Sequence, residues 1–178
     1  MTSATDPRTR MRRCVLIALL LGAIPLAVAA QSPAPAADAR IAAQLKSLNF
    51  TYVVTEDGDY RLVIEIGDRK RTQLVVVNSN TEFYDKVEIR EVWSTALLVN
   101  DPVDAALAGR LLKANDTLKL GAWRVWPAEE NGDTAQVYIV FAAQIDASAT
   151  EEMLAAALSM VAETADALEK EITVVDVR

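Results

Sequence analysis

The connections between the strand-like segments constrain this fold most, because they are too short to join parallel neighbours. The segment at 51–55 runs into Glu56-Asp57-Gly58-Asp59, and the segment at 60–66 runs into Gly67-Asp68-Arg69-Lys70. A parallel pair needs a crossover of roughly a dozen residues, whereas antiparallel strands are joined by short turns. The connections therefore predict a mostly antiparallel sheet.

Period-two alternation of apolar and polar residues supports the strands themselves. It is clearest from Tyr60 to Ile66, where every second residue is apolar, as in a half-buried strand. The phase slips near Glu91-Val92, which predicts a bulge or an irregular bend there. The predicted strands are 51–55, 60–66, 72–78, 87–98, 119–126 and 134–145.

Apolar residues at spacings of three and four predict three helices. Asp38 caps the first, and Asn49 with Phe50 ends it. Asp101 and Pro102 suit the cap and first position of the second. Ser148 and Glu151 form a capping box before the third, which runs to about Ile172. The order α-ββββ-α-ββ-α predicts one α+β domain, a single mostly antiparallel sheet with helices packed on it.

The first thirty residues have the pattern of a signal peptide. A basic segment precedes an apolar run at 15–26, which is short for the roughly 20 residues that span a bilayer. Small residues then allow cleavage near Ala29 or Ala30. We therefore expect a signal peptide at 1–30, a Pro/Ala-rich spacer at 31–37, the domain at 38–173 and a tail at 174–178. The mature protein would be periplasmic or secreted; the alternative is a leader retained as an anchor.

Composition argues against most catalytic chemistry. The chain has no histidine, and its one cysteine, Cys14, lies in the leader, so catalysis by Ser-His-Asp or Cys-His is excluded. The acidic clusters at Glu56-Asp57-Asp59 and Glu129-Glu130-Asp133 fall on turns without EF-hand spacing. We predict no catalytic, cofactor-binding or metal-binding residue, no cofactor, and no enzyme, with a carboxylate-pair glycosidase as a distant alternative.

The charge of the mature domain also narrows its partners. Removing four arginines and one aspartate with the leader, from 18 basic and 25 acidic residues, leaves 14 and 24, a net charge of −10. Such a surface repels phosphate backbones and anionic lipids. We therefore expect no nucleic acid, and no membrane contact beyond the export signal.

The last predicted strand is apolar on both faces. Phe141 and its alternate neighbours line one face, whereas Tyr138 and Val140 lie on the other, which would be polar if it met only water. Such a face is either covered by more of the chain or offered to a partner. The residues assigned to this second face, as a candidate partner surface, are Val63, Trp123, Val125, Tyr138 and Val140.

One known family has a similar pattern. Leu111-Leu112-Lys113-Ala114-Asn115-Asp116, Gly121-Ala122-Trp123, the acidic hairpin and the Ser148-capped helix together resemble the YbjN family, over about 38–172. The family is described as bacterial sensory transduction regulators, and it shares its fold with type III secretion chaperones. The resemblance implies a chaperone-like fold and a domain that dimerises or holds an extended peptide. Many members are cytoplasmic, so the leader is a departure from the family.

Together these features predict an exported, non-enzymatic domain acting by protein–protein contact in a chaperone-like or regulatory role. Its partner would be a protein or peptide, with a homodimer as one form. The alternative is a periplasmic carrier that holds a small apolar ligand between sheet and helix.

Overall fold

The computed structural model describes residues 36–67, 71–128 and 136–175, with side chains as far as residue 172. The predicted signal peptide and the acidic cluster at 129–133 lie outside these residues. The elements are α1 (Ala39–Ser47), β1 (Tyr52–Val54), β2 (Tyr60–Ile66), β3 (Arg71–Tyr84), β4 (Val87–Asn100), α2 (Ala105–Asn115), β5 (Ala122–Pro127), β6 (Gln136–Asp146) and α3 (Glu151–Val175).

The strands form one six-stranded sheet in the order β1-β2-β3-β4-β6-β5. Every neighbouring pair is antiparallel. The α+β class and the element order predicted from the sequence are confirmed. Although α2 and β5 separate β4 from β6 along the chain, these two strands pair directly and over the greatest length.

The described helices pack on one face of the sheet. Leu158 and Val161 of α3 are fully buried against Val92 and Phe141, in a cluster that also includes Ile41 of α1. A smaller cluster joins the three elements α2, α3 and β6 through Leu111, Leu168 and Ile139. Burial of these apolar side chains, at roughly 25 cal/mol per Å², is the main stabilising contribution to such a fold.

The ends of α1 are as predicted. The Asp38 carboxylate accepts a bond from the Arg40 N–H at 2.9 Å. After the helix, Asn49 has a φ of 58°, the left-handed conformation in which asparagine often ends a helix. The Phe50 N–H then donates back to the Leu45 carbonyl at 2.9 Å.

The predicted caps of the other two helices are wrong. The cap of α2 is Asp104, whose carboxylate accepts from the Leu107 N–H at 3.0 Å, and not Asp101. At α3 the Met153 N–H donates to the Thr150 hydroxyl at 3.3 Å. The Ser148 hydroxyl donates instead to Asp146, so Ser148 forms no capping box. In each helix a second residue able to cap, Asp104 or Thr150, stands nearer in sequence to the first apolar residues of the helix.

The irregularity predicted in β4 near Glu91-Val92 lies mainly in its partner. Val77 pairs with Val92 but Thr81 pairs with Arg90, so 78–80 form a bulge in β3 opposite one residue of β4. The Ser79 N–H donates to Asp59 at 2.7 Å, and the Arg90 guanidinium donates to the Asn78 carbonyl at 2.5 Å. With its backbone satisfied, β3 continues past the predicted end at residue 78. In β4 itself the register shifts at Ala96.

Candidate functional site

The sheet face opposite the helices is the first candidate site, and we call it the open face. No described helix packs on it. Residues directly opposite each other on paired strands share a face, so the register identifies its members. They include Val53 of β1, Arg61 and Val63 of β2, Leu74 and Val76 of β3, Glu91, Trp93, Thr95 and Leu98 of β4, Ala122, Arg124 and Trp126 of β5, and Gln136, Tyr138, Val140, Ala142 and Gln144 of β6.

Long side chains from β4 and β5 meet over the small residues of β6 at the centre of the open face. The rings of Trp93 and Trp126 are 5.0 Å apart in an edge-to-face arrangement. Val140 and Ala142 are fully buried. Because β4 and β5 are separated by two strand spacings, about 10 Å, only large side chains can bridge them. The indole pair is therefore a fixed platform on this face.

Exposed apolar side chains flank this platform on both sides. Val63 and Leu74, on neighbouring strands, are 64% and 45% exposed. Leu98 and Tyr138, at the opposite flank, are 49% and 37% exposed. An antiparallel sheet face that meets only water is normally polar, and grouped exposed apolar residues mark interaction surfaces. The open face therefore has the properties of a contact surface.

Three of the five residues predicted for the partner surface lie on the open face, and two do not. Val63, Tyr138 and Val140 are on it, although Val140 is buried, which fits the alternative of core packing for that residue. Trp123 and Val125 are on the helix side, because they pair with Phe141 and Ile139.

The sequence analysis was wrong for Trp123 and Val125 because a shift of one residue in strand register exchanges the two faces. The Trp123 ring lies 5.2 Å from that of Phe141, inside the main core. The odd separation of Trp123 and Trp126 did place them on opposite faces, but it left open which one faced the helices. The large apolar residues of this face that the sequence did not predict include Val53, Leu74, Trp93, Leu98 and Trp126.

A small polar cleft, about 190 Å³ in volume, opens at the end of the open face where the β3 bulge lies. The Trp93 indole N–H donates to the Asn78 amide oxygen at 2.8 Å, so the cleft adjoins the indole pair. Arg124 forms an ion pair with Glu91 across β6. The lining residues are Asn78, Asn80, Glu82, Ile89, Glu91, Arg124 and Gln144.

Sequence analysis did not predict this cleft. Its residues come from four strands, and the bulge at 78–80 carries two of its amides. The structure also places Glu82 and Glu91, two carboxylates that no local spacing connects, at the same cleft.

A cluster of ion pairs around the buried Arg90 anchors α1 to the sheet. Arg90 is only 2% exposed, and its guanidinium pairs with Asp38. Arg40 forms two hydrogen bonds with Glu88, at 2.8 and 2.7 Å. Hydrogen bonds from Arg40 hold the pKa of Asp38 well below its usual range and lower the pKa of Glu88 to about 2. These groups face one another and not a cleft, which gives the cluster a structural role.

The outer edge of β5 is poorly suited to strand addition. The Asn115 amide oxygen accepts from the Trp123 backbone N–H at 2.7 Å. Alternate residues of a strand direct their N–H and C=O groups to the same side, so the backbone groups of Val125 also point away from β6. Pro127, the next residue in this alternation, has no N–H to donate. An edge so short and partly capped is a poor template for an added strand. Contact through the open face is therefore favoured over contact through this edge.

The part of the chain that the structure describes presents neither a cluster of metal ligands nor a membrane-spanning helix. Within it, no group of three or more Asp, Glu, His or Cys side chains is placed to hold a metal ion. No described helix is long and apolar enough to cross a bilayer. At the first acidic turn, Asp59 is engaged by the Ser79 N–H.

Compared with protein-family models, curated proteins and solved structures, the chain matches none of them. The resemblance to the YbjN family therefore rests on the residue pattern alone.

Proposed function

We propose that this chain is an exported, YbjN-like domain that acts by contact with another polypeptide through the open face. Its role would be chaperone-like or regulatory, without catalysis. The observation that carries the proposal is the combination of a fixed indole platform with exposed Val63, Leu74, Leu98 and Tyr138 around it.

The dimensions of the open face suit a polypeptide. Six strands about 4.8 Å apart give a width of about 24 Å, and seven paired residues give a length of about 23 Å. The resulting area, about 550 Å² per partner, is broader than a small molecule covers but below the roughly 800 Å² of a standard stable interface. Such an area favours transient contact, as expected of a regulator or chaperone.

The composition supports a role without catalysis. The predicted mature domain has neither histidine nor cysteine. Histidine is the most frequent general acid or base, and cysteine is one of the common catalytic nucleophiles. The centre of the helix–sheet interface is also occupied by the protein's own side chains, since Phe141, Leu158 and Val161 are fully buried there. The clefts on this side lie at the margins of the interface, one beside Met153 and one beside Leu118. This packing favours polypeptide contact over the alternative of a carrier with an apolar ligand between sheet and helix.

The test is a single charged substitution on the open face with a matched control on a helix. The mature domain from Gln31 onward carries Tyr138→Asp, or Leu112→Asp on α2, where Leu112 is 73% exposed. Capture from envelope extract identifies a bound polypeptide, and sedimentation velocity detects self-association. We expect Tyr138→Asp to abolish whichever interaction the unaltered domain shows, with the fold intact, and Leu112→Asp to preserve it.

Two results would oppose the proposal. Equal loss in both variants would point to a nonspecific effect of the added charge. A lipid-like molecule retained after purification and detected by native mass spectrometry, with no bound polypeptide, would support the carrier.

A further inference from the structure

We propose that the polar cleft at the bulge end of the open face binds one unit of a neutral carbohydrate. This inference goes beyond polypeptide contact, because it concerns a different class of ligand held by the polar side chains at one end of the open face, with the indole pair bordering both sites. It stands or fails independently of whether Tyr138 contacts a protein.

The unengaged groups in the cleft are suited to hydroxyl groups. Asn80, Glu82 and Gln144 are exposed at the cleft, and the structure shows no hydrogen bond from their side chains to other described residues. An amide supplies both donors and an acceptor, and a carboxylate supplies acceptors. A sugar hydroxyl donates and accepts at the same oxygen. Neighbouring amide and carboxylate groups can therefore satisfy adjacent hydroxyls on one ring.

The charge of the cleft disfavours anionic ligands. Glu91 is neutralised by its ion pair with Arg124, which leaves Glu82 as the uncompensated charge. A phosphate or carboxylate would be repelled by this carboxylate, and the one guanidinium is already engaged. A neutral ligand with many hydroxyls carries no such penalty.

The size of the cleft and its neighbours complete the argument. A volume of about 190 Å³ is below the roughly 300–1,000 Å³ of sites for drug-sized ligands, so the cleft admits a single ring. The Asn78 amide links it directly to Trp93, and Trp126 packs against that indole. Aromatic faces carry partial negative charge and attract the C–H groups on the apolar side of a sugar ring. Further units of an oligosaccharide would therefore extend along the indole pair.

The experiment is a titration of the purified chain with two neutral trisaccharides, maltotriose and tri-N-acetylchitotriose, followed by tryptophan fluorescence. We expect at least one of them to give a saturable change with a half-maximum below about 1 mM. Asn80→Ala combined with Gln144→Ala removes two hydrogen-bonding side chains and weakens binding by about tenfold or more.

The control is Gln136→Ala, which changes an exposed amide on the same strand and face. Gln136 lies eight residues from Gln144, or roughly 27 Å along β6. It should leave trisaccharide binding unchanged.

Three results would overturn the proposal. One is that neither trisaccharide gives a saturable change in tryptophan fluorescence up to about 10 mM, a concentration at which even weak sites fill. Another is equal binding by the unaltered chain and the double variant. The third is that triglycine binds, the sugars do not, and the double variant no longer binds triglycine. That result would assign the cleft to peptide amides.

Discussion

Replacing Arg90 with alanine should destabilise this domain more than any exposed substitution. The Arg90 guanidinium donates to the Asn78 carbonyl and pairs with Asp38, and the side chain is 2% exposed. Without it, the bulge in β3 loses a bond to its backbone, and α1 keeps the Arg40–Glu88 pair but loses the ion pair that joins Asp38 to the sheet. Because both interactions come from one side chain, the loss of stabilising contacts is concentrated at the junction of α1, β3 and β4.

The magnitude follows from the burial of the groups left behind. Removing one partner of a buried ion pair costs about 3–5 kcal/mol, because the other charge and the freed carbonyl stay desolvated. Arg40 still contacts Asp38, which favours the lower half of that range. For an urea m-value of about 2 kcal/mol per M, a loss of about 3–4 kcal/mol lowers the unfolding midpoint by about 2 M.

The assay is equilibrium urea unfolding followed by tryptophan fluorescence. The control is Arg110→Ala, since the Arg110–Glu171 pair is on the surface, with side chains 44% and 58% exposed, and contributes about 0–1 kcal/mol. If Arg90→Ala and Arg110→Ala lowered the midpoint equally, the structural role assigned to the buried cluster would be refuted.

Two further predictions concern stability. Gly121→Ala should lower the free energy of unfolding by at least about 2 kcal/mol, because Gly121 has a φ of 86° and a Cβ there would lie 2.5 Å from the Ala142 carbonyl oxygen. Gly109→Ala, in α2 with open space around it, should raise the free energy of unfolding by about 0.5–1 kcal/mol in the same urea assay. The carboxylates of Asp38 and Glu88 have lowered pKa values in the folded state, so their stabilising contribution is complete above about pH 4.5 and is lost as the pH falls toward 2. Thermal unfolding measured from pH 6 to pH 3 should show this decline, and a Glu88→Gln variant that declined just as steeply would contradict it.

Local patterns predicted the elements well where one segment determines its own structure. The bounds of β2, Tyr60–Ile66, follow from strict alternation between two turns. The end of α1 follows from an asparagine in the left-handed conformation. The caps of α2 and α3 were mistaken because Asp101 and Ser148 each compete with another capping residue two or three positions later, and the local sequence does not rank them.

The candidate site was predicted less completely, because it depends on register and on distant residues. Which of Trp123 and Trp126 faces the helices depends on how β5 pairs with β6, and a slip of one residue reverses it. The polar cleft requires the bulge at 78–80, which Arg90 and Asp59 stabilise from other strands. The alternation along the last strand showed that both of its faces are apolar. It carried no information on which residues of the other strands join them in the open face or in the polar cleft.

Photocrosslinking from the open face tests the central claim most directly. A photoreactive phenylalanine analogue replaces Tyr138 in one form of the full chain and Leu112 on α2 in the other, since both side chains are exposed. Irradiation of the intact envelope should produce a defined protein adduct, or a covalent dimer of this chain, from position 138 and not from position 112. Equal adducts from both positions, or adducts from position 112 alone, would contradict contact through the open face.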